Sequence, residues 1–140
     1  MERTIDDGRS AQCVEHQYRK PLPTTTVIIV FHNEAWCTLL RTIYSVLATT
    51  PKIVLEEIIL VDDMSNLTDR PELGDDLSNF VNENFPGFVR ILRQSTREGL
   101  IAARLAGAAA ATGVVLTFLD SHCECTVGWI EPLLERIAQN

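Results

Sequence analysis

Four short runs rich in apolar residues, many of them β-branched, recur along the chain and predict strands, of which the first, second and fourth are expected to be buried. They cover residues 26–31, 57–61, 88–92 and 114–119. The last run is continuously apolar, which predicts a strand buried on both faces, and it ends in Asp120, Ser121 and His122. Such a strand would place polar side chains that can bind a metal ion at its carboxyl end.

Between these runs, apolar residues recur at spacings of three and four, which predicts amphipathic helices. The first helix follows Asn33, its predicted N-cap, and stops at Pro51, while the second stops at Pro86. The third, over residues 98–112, is predicted from its richness in Ala, Leu and Arg, which are strong helix formers, with Gly113 as its predicted C-cap. Each helix therefore links one strand to the next.

The alternation of strands and helices predicts an α/β fold with a mostly parallel, open, Rossmann-like sheet of four strands and helices on both faces. The pattern begins near residue 24 and continues into a last helix within residues 127–140. We expect a single domain over residues 24–140, preceded by an irregular N-terminal arm over residues 1–23.

Ligands of such sheets bind outside the carboxyl ends of the parallel strands. Three of the four predicted strands end in polar side chains, which we expect to converge on one edge of the sheet. These side chains are His32, Asn33, Glu34, Asp62, Asp63, Asp120, Ser121 and His122. Their common location is stronger evidence for a binding site than any one residue.

Asp120 and His122 are two positions apart in extended backbone, so both side chains project to the same side and can reach one point. One carboxylate oxygen and one imidazole nitrogen, with positions left for water and phosphate oxygens, suit Mn²⁺ better than Mg²⁺. Two alternatives stay open. One is a solvated loop without a ligand, and the other is a zinc site of His122, Cys123 and Cys125, although a second cysteine pair is missing.

Asp63 follows the second strand, where a carboxylate can accept hydrogen bonds from a ribose or base, or can simply end the strand in a turn. Arg97 precedes the third helix, whose free amides and positive dipole end suit an anion; a surface arginine is the alternative. The turn after the first strand contains no glycine, which disfavours nicotinamide and flavin dinucleotides.

The negative net charge of the chain limits the classes of molecule that it can bind. With 12 Lys and Arg against 19 Asp and Glu, the formal net charge is -7, which argues against nucleic acid or an anionic membrane as the main partner. No apolar run approaches the roughly 20 residues that span a bilayer, so no membrane segment is expected in this chain. Four cysteines are too few and too unevenly spaced for a disulfide scaffold.

Residues 23–137 closely resemble the N-terminal half of the catalytic domain of polypeptide N-acetylgalactosaminyltransferases, which have the GT-A glycosyltransferase fold. The matching blocks occur in the same order as in that family. They are VIIVFHNEAW at 27–36, LLRT at 39–42, EIILVDD at 57–63, REGLI at 97–101, LTFLDSHCEC at 116–125 and GWIEPLLER at 128–136.

The resemblance implies a UDP-GalNAc donor site and, for the whole enzyme, transfer of GalNAc to Ser or Thr hydroxyls of proteins in the Golgi lumen, which starts mucin-type O-glycosylation. Asp120 and His122 are then the expected Mn²⁺ ligands on the diphosphate. The side chains expected to contact the UDP-sugar are Asp63, Arg97, Asp120 and Ser121, with His32 and Glu34 as further candidates. No catalytic nucleophile can be assigned.

The resemblance covers only part of that family's architecture. The family's later metal-binding histidine, acceptor-site segment, lectin domain and membrane anchor do not occur in these 140 residues. We therefore expect the isolated chain to lack transferase turnover, because both substrates must be positioned together. The alternatives are a non-catalytic UDP-binding or degenerate regulatory fragment, and a GT-A transferase for another sugar.

Overall fold

The computed structural model describes residues 5–139. A four-stranded sheet lies at its centre, with the strand order β3-β2-β1-β4. The strands are β1 (Thr25–Phe31), β2 (Leu55–Asp62), β3 (Val89–Arg93) and β4 (Val115–Asp120). All neighbouring strands run parallel, which confirms the predicted α/β fold and its sheet.

Five α-helices and one 3₁₀ turn accompany the strands in this part of the chain. They are α1 (Ala11–Glu15), α2 (Trp36–Thr49), the 3₁₀ turn Pro71–Leu73, α3 (Asp75–Asn84), α4 (Leu100–Ala110) and α5 (Glu131–Ala138). The short α1 lies within the N-terminal arm and contributes no buried residue. Over residues 5–139, no helix is both long and apolar enough to cross a membrane.

Alternating side chains of β1 separate the two faces of the sheet. Val27 and Ile29 face a core that α2 and α3 complete, while Ile28 faces a smaller core formed with α4. At the amino-terminal end of the strands, α5 packs Leu134 near Val115. Helices therefore cover both faces, as predicted.

β4 is an edge strand, and the prediction that it is buried on both faces was wrong. Phe118 pairs in register with Ile28 and so lies on the face that α4 covers. The main contacts of α4, however, are with β1 and β2, and Leu116 and Phe118 of β4 remain 39% and 40% exposed. A continuous apolar run shows which side chains avoid water, but not which neighbour covers them.

Gly107 allows α4 to lie close to the sheet. A Cβ atom at this position would lie 2.5 Å from Cγ2 of Ile28 and 3.0 Å from Cγ2 of Val61, both fully buried. Neither contact can be accommodated without moving the helix or the strands, because β-branched side chains in a packed core have few alternative rotamers.

Gly107→Ala is therefore expected to lower the free energy of unfolding by about 2 kcal/mol, although alanine is the better helix former. Urea denaturation followed by circular dichroism measures this change. Ala109→Gly, at an exposed position of the same helix, is the matched control and should cost about 1 kcal/mol through helix propensity alone. A more stable Gly107→Ala variant would contradict the close packing described above.

Gly113 is not the C-cap of α4, contrary to the prediction, because the helix ends at Ala110 and Ala111 is its cap. Gly113 instead lies against β1, where an added Cβ would be 2.5 Å from the backbone nitrogen of Thr26. Its own amide donates to Oγ1 of Thr26 at 2.9 Å. The glycine is needed for a close backbone approach rather than for ending a helix.

Candidate functional site

The carboxyl ends of β1, β2 and β4 lie side by side. Phe31 pairs in register with Asp62, and Val30 pairs with Asp120, so the residues that follow all emerge at the same edge of the sheet. The polar residues predicted to converge there do so. Their individual contacts decide what each can contribute.

Asp63 is buried and accepts hydrogen bonds from the backbone that precedes α4. Its Oδ1 accepts from the amide of Glu98 at 2.9 Å, and its Oδ2 accepts from the amide of Gly99 at 3.0 Å. The amides predicted to be free for a ligand anion are thus bound to this carboxylate, and α4 begins at Leu100 instead of Glu98. The anion at the positive, N-terminal end of α4 is therefore the Asp63 carboxylate and not a ligand.

Arg97 carries the positive charge that faces solvent at this point. Its Nε lies 3.3 Å from Oδ2 of Asp63, while its side chain is 57% exposed. The carboxylate anchors the guanidinium on one side and leaves its remaining donors available to an anion.

His32 is held by the same segment. Its Nδ1 lies 2.9 Å from the carbonyl oxygen of Asp63 and donates to it, because a carbonyl only accepts. The ring nitrogen left for a ligand is Nε2. Asp63 therefore organises Arg97 through its carboxylate and His32 through its backbone.

Asn33 is not the N-cap of α2, contrary to the prediction. The cap position is Ala35, and Asn33 adopts a left-handed conformation with φ of 53°. Its Oδ1 accepts from the amide of Asn66 at 2.7 Å, and its own amide donates to Oγ of Ser65 at 2.9 Å. Asn33 thus ties the turn after β1 to the turn after β2, which a short polar residue in this conformation can do.

Asp62 is also buried, and it anchors the end of β2. Its Oδ2 accepts from Nη1 of Arg93 at 2.6 Å, and its Oδ1 accepts from the amide of Ser65 at 2.8 Å. Arg93 further donates to the carbonyl groups of Leu73 and Gly74. The two adjacent acidic residues therefore anchor different segments: Asp62 holds Arg93 and the turn after β2, whereas Asp63 holds the segment that carries Arg97 and precedes α4.

Glu34 joins the ends of β1 and β4. Its Oε2 accepts from Oγ of Ser121 at 2.6 Å and lies 3.3 Å from Nδ1 of His122. Its Oε1 accepts from the amide of Ala35 at 2.9 Å. Burial raises the pKa of Glu34, but the hydrogen bonds from Ser121, Ala35 and His122 outweigh that effect and leave the pKa below its ordinary value.

Asp120 contacts a residue that the motifs did not reveal. Its Oδ1 lies 3.2 Å from Nη2 of Arg104 on α4, whose guanidinium carbon is 6.0 Å from the centre of the Phe118 ring. A signal was present in the sequence, since Arg104 is the one charged residue within Leu100–Ala110. A lone arginine in such a helix indicates a specific partner.

The loop that carries Ser121 and His122 is held by α2. The buried Thr42 hydroxyl lies 2.7 Å from the carbonyl oxygen of Ser121 and 2.8 Å from that of Cys123. Oγ of Ser45 accepts from the amide of Cys125 at 2.9 Å. The sequence did not predict a role for these two hydroxyls, because single Thr and Ser residues within a helix belong to no recognisable motif.

Asp120 and His122 have different protein partners, and both side chains are exposed. Within residues 5–139, no group of three or more His, Cys, Asp or Glu side chains is placed to hold a metal ion. β4 ends at Asp120 and His122 lies in the turn that follows, so the extended backbone predicted between the two residues was wrong. An ion held by this pair would need its other ligands from water and phosphate oxygens. His122, Cys123 and Cys125 are among the described residues, and they are therefore not placed together as the zinc alternative requires.

Residues 26–140 match the model of glycosyl transferase family 2. This chain belongs to that family. The family 2 domain therefore begins within β1 and includes every strand end described above.

Two similar proteins are polypeptide N-acetylgalactosaminyltransferases. Human polypeptide N-acetylgalactosaminyltransferase 6 is 57% identical over 136 residues, which cover 96% of this chain and 21% of the relative. Polypeptide N-acetylgalactosaminyltransferase 5 of Caenorhabditis elegans is 54% identical over 142 residues, which cover 100% of this chain and 22% of the relative. The resemblance predicted from the motifs is confirmed, and the chain spans about a fifth of the length of these relatives.

Solved structures agree with the fold. The crystal structure of GalNAc-T7 with UDP, GalNAc and Mn²⁺ superposes with a TM-score of 0.93 and 42% identity, covering 99% of this chain and 25% of that one. The mannosyltransferase PcManGT from Pyrobaculum calidifontis, in complex with GDP-Man and Mn²⁺, has a TM-score of 0.66 at 16% identity, covering 90% and 36% of the two chains. The second match supports the fold alone, and together they confirm a GT-A type domain.

Proposed function

We propose that this family 2 domain is the UDP-GalNAc-binding part of a polypeptide GalNAc-transferase, an enzyme of the Golgi lumen that starts mucin-type O-glycosylation on Ser and Thr hydroxyls. The observation that carries the proposal is that Asp63 with Arg97, and Asp120 with the turn that carries His122, follow neighbouring strands at the same edge of the sheet. The similarity to a GalNAc-T7 structure that contains UDP, GalNAc and Mn²⁺ supports it.

Each residue has a distinct task in this proposal. Arg97 presents its guanidinium to the nucleotide from a position fixed by Asp63, and His32 offers Nε2 beside it. Asp120 and His122 would hold Mn²⁺ through a carboxylate oxygen and an imidazole nitrogen. When bound, Mn²⁺ supplies positive charge that stabilises the negative charge developing on the departing UDP.

Titration calorimetry of the 140-residue chain with UDP, with and without Mn²⁺, tests the proposal. We expect binding that requires Mn²⁺ and that weakens at least tenfold, or about 1.4 kcal/mol, in Asp120→Asn. Glu56→Gln is the matched control, because it removes one negative charge at an exposed position near the start of β2, at the opposite end of that strand. This control should bind like the unaltered chain.

The outcomes separate the remaining candidates. Absence of heat with and without Mn²⁺ would favour a degenerate, non-catalytic fragment that keeps only the fold. Equal binding in Asp120→Asn would contradict the assigned metal ligand, and competition between UDP-GalNAc and other UDP-sugars tests the sugar. The expected lack of transferase turnover stays a prediction, which incubation with UDP-GalNAc, Mn²⁺ and a Thr-rich peptide tests.

A further inference from the structure

Glu34 was a further candidate for contact with the UDP-sugar, and both of its carboxylate oxygens contact protein groups. Oε1 accepts from the amide of Ala35, and Oε2 faces both Ser121 and His122. Its side chain is 19% exposed, whereas that of His122 is 65% exposed. The carboxylate is therefore the fixed member of the pair, and the imidazole is the member that reaches toward solvent.

This contact determines which nitrogen of His122 carries the proton. An ionised carboxylate can only accept hydrogen bonds, so Nδ1 of His122 must be the protonated nitrogen when the ring is neutral. Nε2 then keeps its lone pair, which is the form that a metal ligand requires. The same arrangement occurs at His32, where the carbonyl oxygen of Asp63 accepts from Nδ1.

We infer that Glu34 is a positioning residue that selects the His122 tautomer with a free Nε2 and aims that nitrogen into the strand-end site. The inference rests on the proposed function, because it takes Mn²⁺ as the ligand of His122. It assigns Glu34 a role in preparing the metal site in place of a contact with the sugar nucleotide.

Glu34 is held on both sides for this task. Asn33, the preceding residue, is tied to the turn after β2 through Ser65 and Asn66. Ser121, which donates to the same carboxylate oxygen, is held by Thr42 on α2. The carboxylate thus couples two independently anchored turns, and a metal ligand supported in this way keeps its orientation in the unbound protein.

Nuclear magnetic resonance of the metal-free chain with labelled histidines tests the tautomer directly, in alkaline solution where imidazole is uncharged. We expect the unaltered chain to show a protonated Nδ1 and an unprotonated Nε2 at His122. In Glu34→Gln the amide oxygen is expected to keep the Ala35 contact, so its NH₂ group faces His122 and makes Nδ1 an acceptor. The proton should move to Nε2, while His32 keeps its tautomer as an internal control.

Mn²⁺ binding gives the second readout, measured by electron paramagnetic resonance of free Mn²⁺ in titrations of the chain. We expect Glu34→Gln to weaken Mn²⁺ binding by about 10- to 100-fold, as is typical when the partner of a metal-bound histidine is changed. Glu56→Gln, which removes the same charge at an exposed position, should leave the affinity unchanged.

The two measurements test the proposed function and the role of Glu34 separately. An unaltered chain that binds no Mn²⁺, either alone or together with UDP, would contradict the proposed function, whereas the tautomer measurement would still decide the role of Glu34. A proton on Nε2 of His122 in the unaltered chain would overturn the inference, even if Glu34→Gln did not fold. So would an unchanged tautomer in a folded Glu34→Gln variant.

Discussion

Asp63→Ala is expected to lower the free energy of unfolding by about 3 kcal/mol and to abolish measurable UDP binding. The buried carboxylate accepts from the amides of Glu98 and Gly99, and alanine leaves both amides without their partner. A hydrogen bond to a charged acceptor contributes about 1.5–3 kcal/mol, and two amides donate to this carboxylate. Without this anchor, the segment before α4 is free to move, and Arg97 loses the position from which it would meet the nucleotide.

Arg97→Ala separates the effect of Asp63 on stability from its effect on UDP binding. It removes the exposed guanidinium but leaves the hydrogen bonds from Glu98 and Gly99 to Asp63 in place, so stability should change by less than about 1 kcal/mol. UDP affinity should nevertheless fall at least tenfold. Urea denaturation and calorimetry on both variants measure the two quantities, and an Asp63→Ala chain as stable as the original would contradict the anchoring role.

The strands and helices were predictable because they depend on local patterns. The apolar runs that became β1 and β2 are buried on both faces, so their composition alone identified them. β4 has the same composition but lies at the edge of the sheet. Strand order is set by long-range pairing, which an apolar run does not encode.

The location of the site was predictable for a related reason, since parallel strands bring their carboxyl ends together. Which side chains contact each other within the site was not predictable. Glu34 meets His122 across 88 positions of sequence, and Arg104 meets Asp120 although α4 packs mainly on β1 and β2. Residue types near a strand end indicate which groups are available, whereas the packing of helices decides which groups pair.

A second cluster of charged groups lies at the other end of the strands. Glu57 on β2 is buried, and its Oε2 accepts from Nε of Arg90 at 2.5 Å. Its Oε1 accepts from the amide and the hydroxyl of Thr112, at 2.9 and 2.7 Å. Arg90 also donates to the carbonyl group of Ala110, so this carboxylate joins β2 and β3 to the segment that leads from α4 into β4.

Glu57 should make the fold sensitive to acid. Burial raises the pKa of its carboxyl group, but hydrogen bonds from Arg90 and Thr112 outweigh burial and lower the pKa from 4.5 to about 2. A carboxyl group with a lowered pKa in the folded state stabilises the protein fully above its unfolded pKa. That contribution, about 3 kcal/mol, is lost progressively as the pH falls from 4.5 toward 2.

Glu57→Gln isolates this contribution from the other carboxyl groups that titrate over the same range. At about pH 7 the variant should be less stable than the unaltered chain by about 3 kcal/mol, because glutamine cannot accept the charged hydrogen bond from Arg90 in the same way. The difference should shrink as the pH falls through the 4.5-to-2 window, since protonated glutamic acid and glutamine are then nearly equivalent. Urea denaturation of both chains across this range measures the difference, and a gap that stays constant with pH would show that Glu57 acts through packing instead of through its charge.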